Sequence, residues 1–328
     1  MELFDRRAVK DAAKNSLANA SKDPKRLILI HTGATLVLAI VLTVIDYLLE
    51  QKIGTTGGLS GIGTRSVLST VQSILRYVQL LVLPMWNCGY LYACLRLSRQ
   101  EPADEQTLLE GFHRFGPVLR MTLLQALIYG VIGFVCIYAG SALFVMSPWA
   151  QPLMDALQPM VESGEVNEAV LLAAMDAVIV PLILIFAVLF LIACLPVYYQ
   201  LRLANFCIMD GQRKGALAAI LESRRLTKGS RMALLKLDLS FWWFYLLDLL
   251  VSLVCYGDML LSAFGVQLPW SADASYFIFL LLYAAGQLLL YVWKKNEVFV
   301  TYAHVYNTLL PTEEDIPEPQ PKQLPWQY

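Results

Sequence analysis

Apolar residues come in six long runs parted by shorter polar stretches: Leu27 to Leu49, Val67 to Leu95, Val118 to Met146, Val170 to Val197, Leu237 to Tyr256 and Tyr276 to Trp293. A helix rises 1.5 Å per residue, so about 20 apolar residues match a hydrocarbon layer of about 30 Å. The pattern predicts an all-α, polytopic membrane helical bundle, with six transmembrane helices inside a domain spanning residues 27–295. Ahead of it, Phe4, Ala8, Val9, Ala13 and Leu17 recur at helical spacing among Arg7, Lys10 and Lys14. That spacing predicts a cytoplasmic amphipathic helix within residues 1–26, lying on the inner leaflet and closed by Pro24. A short cytoplasmic helix is expected over 296–310, and a disordered, proline-rich acidic tail over 311–328.

Composition and charge sharpen this picture. Hydrophobic residues make up 57% of the 328 positions and charged residues 16%, against roughly 45–50% and 25% in soluble domains, which excludes an ordinary soluble core. Threaded through six spans, 22 of the 25 Lys and Arg residues fall on one side. Lys and Arg are retained on the cytoplasmic side, so both termini are expected in the cytoplasm, with only Lys52 and Arg65 outside and Arg76 within a span. The first apolar run follows a charged stretch of 26 residues and has no small-residue cleavage site, so it is expected to stay as a span. A basic inner face favours anionic lipid headgroups. The outer third loop holds Asp155, Glu162, Glu165 and Glu168 without Lys or Arg.

An internal repeat links the two central hairpins. Tyr92-Ala93-Cys94-Leu95-Arg96-Leu97 returns as Tyr198-Tyr199-Gln200-Leu201-Arg202-Leu203, Leu109-Glu110 as Leu221-Glu222, and Arg120-Met121 as Arg231-Met232. Equal orientation of both copies suggests parallel repeats about an axis along the membrane normal; an arginine at the interface followed by leucine is the plainer explanation. Pro84, Pro181 and Pro196 lie in the inward-going arms and are candidate helix kinks, because proline removes a backbone donor.

Few side chains invite chemistry. Arg76 and Asp248 lie in lipid-length segments, where each costs several kcal/mol unless paired or hydrated. Counted along straight helices from Arg65 and Lys236, they reach depths of about 16 and 18 Å, so an intramembrane ion pair is expected, either as a packing device or as part of a polar path. Gly58-Leu59-Ser60-Gly61 with His304 resembles the nucleophile and base of six-span rhomboid proteases, yet the expected topology puts Ser60 outside and His304, His31 and His113 near the inner face. The six cysteines have no Cys-x-x-Cys spacing and read as packing residues. No His-Glu-x-x-His or phosphate-binding glycine motif is present, so neither cofactor nor enzyme activity is expected.

The fourth inner loop has the most conspicuous surface. Leu217, Ile220 and Leu221 are expected on one helical face, flanked by Arg213, Lys214, Arg224, Arg225 and Lys228, before Gly229 ends the helix. This is a candidate for docking anionic lipid or a protein partner; no nucleic acid is expected. Gly130, Gly133, Cys136 and Gly140 are expected to admit a close neighbour. Trp149, Trp270, Trp242, Trp243 and Trp293 are expected as interface anchors.

Arg7-x-x-Lys10-x-x-Ala13-Lys14-x-x-Leu17, the glycine-rich stretch after the first span, Leu109-Glu110-Gly111-Phe112 and the segment from Leu221-Glu222-Ser223 to Lys228-Gly229 together resemble a bacterial membrane family, domain of unknown function 975. The resemblance runs from about Arg7 to Leu310 and implies a multi-span protein of a bacterial cytoplasmic membrane, without established reaction or catalytic residues. The expected function is that of a non-enzymatic membrane-embedded accessory or interaction protein acting through its basic cytoplasmic face. The alternative is a small-solute transporter or permease with a polar path near Arg76 and Asp248.

Overall fold

Every regular element among the described residues is helical. The computed structural model describes residues 4–55, 62–163, 168–211, 215–263, 265–266 and 268–311. The α-helices are α1 (Arg6–Ala18), α2 (Pro24–Thr55), α3 (Ile62–Ser98), α4 (Glu110–His113), α5 (Phe115–Val145), α6 (Gln151–Ser163), α7 (Glu168–Leu201), α8 (Ala204–Met209), α9 (Ala216–Leu226), α10 (Arg231–Leu239), α11 (Trp242–Val254), α12 (Gly257–Ala263), α13 (Ala272–Leu290) and α14 (Asn296–Leu309). Among the described residues five helices are long and apolar enough to cross a membrane, or six if α10 and α11 count as one bent span. The same order of elements follows each copy of the Tyr-x-x-Leu-Arg-Leu motif: short helices, then a helix carrying Arg120 or opening at Arg231. The chain divides into two compact units, one of Met1–Leu119 with Leu203–Tyr328 and one of Arg120–Arg202.

The larger unit is built around α14, which lies against α1 and α3 and buries Val298, Val300, Thr301, Tyr302, Ala303, Val305 and Tyr306. One expectation is corrected here. The apolar side of α1 packs on protein instead of lipid: Val9, Ala13 and Ser16 are buried, and Ser16 Oγ meets His304 Nε2 at 3.0 Å. The small side chains of Ala13 and Ser16 permit that close approach. The C-terminal helix expected over 296–310 is α14, and a π-helical turn, Tyr291–Lys295, joins it to α13. Two polar side chains in this core are matched: the Tyr90 hydroxyl donates to Asn296 Oδ1 at 2.8 Å, and Asn296 Nδ2 donates to the Pro24 carbonyl at 2.7 Å. The Lys295 ammonium lies 4.1 Å from the Tyr291 ring centroid and 5.4 Å from that of Tyr90, where the ring faces attract a cation.

Glycine sets the closest approach in this unit. A Cβ on Gly89 would lie 1.8 Å from the Leu108 carbonyl oxygen, and one on Gly111 1.9 Å from that of Met85. The C-terminal part of α3 and the segment from Glu105 to His113 thus meet backbone to backbone.

The expected fifth span is not continuous. α10 and α11 meet at 63° across Ser240 and Phe241, and no proline is there. A helix end leaves carbonyls unpaired, and basic side chains near it can serve them. Lys10 Nζ, from α1, reaches the Ser240 carbonyl at 3.4 Å and sits 4.2 Å over the Phe241 ring; burial holds this ammonium below its ordinary pKa.

The smaller unit is a hairpin of α5 and α7 with α6. Phe144, Ala150 and Val178 make a small core with Leu153, Leu182 and Ile185. α6 folds where an acidic loop was expected, with Gln151 donating to Asp155 at 2.8 Å and Gln158 to Glu162 at 3.1 Å. The glycine stripe is tight at one end only: a Cβ on Gly140 would lie 2.5 Å from the Phe186 ring, whereas Gly130 has nothing within 4 Å.

Candidate functional site

The surface that sequence singled out is built on α9. Ala216, Ala219, Ile220, Ser223 and Leu226 are buried, a spacing of three and four that defines one helical face. The opposite face exposes Leu217, Leu221, Arg224, Arg225 and, after the helix, Lys228. Ile220, expected beside Leu217 and Leu221, instead faces the protein and is 7% exposed. The helix closes with Thr227 Oγ1 donating to the Ser223 carbonyl at 2.9 Å, and Gly229 turns the chain at φ +88°, a left-handed conformation that glycine adopts without a Cβ penalty. α10 then starts at Arg231.

Charge is unevenly balanced on this surface. Arg225 is held by Glu222, at 2.6 Å from Nη2 to Oε1. Among the described residues no carboxylate pairs with Arg224, Lys228 or Arg231. These three, with Gly229 and Met232, line a cleft of about 470 Å³. Arg213 and Lys214 lie outside the described residues. Arg231 was the member that sequence reasoning left out of the site; its signal was its place just after the Gly229-Ser230 turn, at the first position of a helix.

The expected Arg76–Asp248 pair is corrected. Arg76 Nε lies 3.4 Å from Asp46 Oδ2 and Nη2 lies 3.8 Å from Glu50 Oε1, in a cleft of about 410 Å³ that also includes Thr43, Tyr47 and Asp273. Asp248 Oδ1 accepts from Gln287 Nε2 at 3.1 Å. The depth of Asp248 was counted along a straight helix from Lys236, and the 63° bend between them makes that count too large. Pro84, Pro181 and Pro196 all lie inside helices that continue through them.

The histidines have local roles. His31 is 1% exposed and stacks on Tyr90 and Trp86 with ring centroids 4.4 and 5.6 Å away. His113 Nδ1 is 3.2 Å from Glu110 Oε2, and His304 contacts Ser16 in the core. Ser60 lies outside the described residues. Among the described residues no group of three His, Cys, Asp or Glu is placed to hold a metal ion, and the cysteines are free thiols. Trp149, Trp242, Trp243, Trp270 and Trp293 are all exposed.

A polar node that sequence did not suggest joins α3, α8 and α14. Arg99 Nη1 donates to Asp210 Oδ1 at 2.6 Å, and the Tyr306 hydroxyl donates to Asp210 Oδ2 at 3.1 Å. Arg99 also donates through Nε to Asn307 Oδ1 at 3.2 Å. The Asp210 side chain is 6% exposed, so this node ties the helices together from within.

No curated protein and no solved structure shows a significant match to this chain. A family model does, described as "Protein of unknown function (DUF975)", over residues 1–305. The α1 contacts, the Gly111 approach and the α9–Gly229 turn all fall within that range, and the chain belongs to the DUF975 family of transmembrane proteins.

Proposed function

We propose that this is a non-enzymatic, membrane-embedded accessory protein, acting through its Lys- and Arg-rich face in the cytoplasm of a bacterial cell. The observation that carries the reading is the outward side of α9, where Leu217 and Leu221 are exposed beside Arg224 and Arg225. A helix with apolar and basic groups turned outward is suited to bind a partner or an anionic surface. Retention of Lys and Arg on the cytoplasmic side supports the orientation.

The test is photo-crosslinking of the full chain in native membranes from positions 217 and 221. A discrete protein adduct, lost when Arg213, Lys214 and Arg225 are changed to Gln, is the expected result. Adducts to lipid alone would overturn the partner reading.

A small-solute permease is the second reading. Gln287, 3% exposed, donates to Asp248 while its Oε1 has no partner among the described residues, and polar groups deep in spans are commonly functional. In proteoliposomes, flux abolished by Asp248→Asn would support this reading, and no flux would reject it.

A further inference from the structure

We propose that the cleft between α9 and α10 binds the phosphate of an anionic phospholipid. The proposal rests on the reading of this face as the cytoplasmic working surface and names its ligand.

Three observations converge. First, Arg224, Lys228 and Arg231 surround one cleft, with no carboxylate partner for them among the described residues. The neighbouring Arg225 shows the contrast, since Glu222 occupies its guanidinium. Second, the Nε–H of Arg231 is buried and has no acceptor among the described residues, so no neighbouring group offsets this guanidinium, and a buried donor left unpaired is costly. Third, α10 opens into the cleft without a side-chain cap. The Ser230 hydroxyl is engaged with the Leu226 carbonyl at 3.3 Å, so the first N–H groups of the nine-residue helix and its positive dipole end remain available to an anion.

A second charged cleft marks what such a site requires. The larger one, about 520 Å³, includes Lys22 and Arg26, but Asp104 and Glu105 pair with them at 3.5 and 2.6 Å. Cations already neutralised have little to offer a phosphate.

Lipid is favoured over free phosphate by what surrounds the cations. Met232, which lines the cleft beside the cations, is 65% exposed. Apolar side chains beside lysine and arginine suit the boundary between headgroups and acyl chains, where the basic groups meet phosphate and the apolar ones meet methylenes.

The experiment uses the full chain in detergent, titrated with phosphatidylglycerol or phosphatidylcholine and read by native mass spectrometry, with inorganic phosphate as competitor. Wild type should retain phosphatidylglycerol over phosphatidylcholine. Lys228→Gln with Arg231→Gln should weaken that binding by about 25-fold, taking about fivefold for each cation. The charge-matched Lys22→Gln with Arg26→Gln should leave it unchanged. Arg224→Gln, at an exposed position, gives the same reading if the double variant fails to fold. Equal losses in the two double variants would overturn the site in favour of general charge attraction. Displacement by inorganic phosphate, with no loss in Met232→Ser, would overturn the lipid in favour of free phosphate. If lipid binding fails while the crosslinked protein partner persists, this proposal falls and the accessory function stands.

Discussion

α7 and α14 invert the usual relation between hydrophobicity and burial. α7 is almost wholly apolar, yet Leu172, Ile183, Leu191 and Ile192 are 63%, 58%, 62% and 65% exposed. α14 carries Asn296, Thr301, Tyr302, His304 and Tyr306, yet Val300, Thr301, Tyr302 and Tyr306 are at most 1% exposed. In lipid the apolar side chain needs no protein cover, and association depends on close packing and on hydrogen bonds between polar groups. The unit around α14 is held by glycines and polar nodes, whereas the α5–α7 hairpin presents its large side chains for the bilayer to solvate.

Small changes in the two regions should therefore differ most where backbone meets backbone. Gly89→Ala pushes a methyl into the Leu108 carbonyl, which cannot swing away as a side chain could. A loss of about 3 kcal/mol is expected, the upper end for overpacking. Gly130→Ala, with open space around it, should be neutral or gain up to about 1 kcal/mol from helix propensity. Thermal melting in detergent, followed by size-exclusion chromatography, measures both; equal melting temperatures would break the contrast.

The polar node comes next. Asp210→Ala strips Arg99 and Tyr306 of their shared acceptor and should cost about 1–3 kcal/mol. That is less than for a fully buried pair, because Arg99 is about a third exposed and solvent screens it. Denaturation of the Asp210→Ala and Arg99→Gln variants and of the double variant gives the coupling; strictly additive losses would remove the node from the account.

The smallest effect concerns pH. Asp104 caps the turn after α3, accepting from Thr107 N at 3.2 Å and from Thr107 Oγ1 at 2.9 Å, and the Thr107 side chain holds its carboxyl below the ordinary aspartate value. A depressed carboxyl contributes stability that is fully present above the unfolded value, about 3.9, and is lost as pH falls through the lower folded value. Wild type should lose this small increment on acidification below about pH 4, and Asp104→Asn should not. Identical acid profiles would show that the cap contributes nothing.

Much of the fold was legible because length and composition alone mark helices that can cross a membrane. α2, α3, α5 and α7 begin and end within a few residues of the apolar runs. The bend in the fifth run was hidden, because Ser240 and Phe241 carry no breaker signal and the carbonyl there is served by Lys10, 230 positions away. The burial of α14 was hidden for the opposite reason: its tyrosines look like surface residues until Asp238 and Asp210 accept from the Tyr302 and Tyr306 hydroxyls. At the candidate site, Arg224, Arg225 and Lys228 could be read as a basic face. Separating Arg225 from the other cations required Glu222 in its actual rotamer.

The position of α14 also sets the order in which this protein can be completed. Its core partners, Ala13 in α1 and Tyr90 in α3, are made early, and roughly 200 residues separate the end of α3 from Asn296. At about 5–20 residues per second, that interval lasts about 10–40 s. Throughout it, the faces of α1 and α3 that α14 covers lack their partner, and several spans are made before the chain supplies it. Biogenesis therefore has a window in which this core is incomplete, and translation past Leu309 closes it.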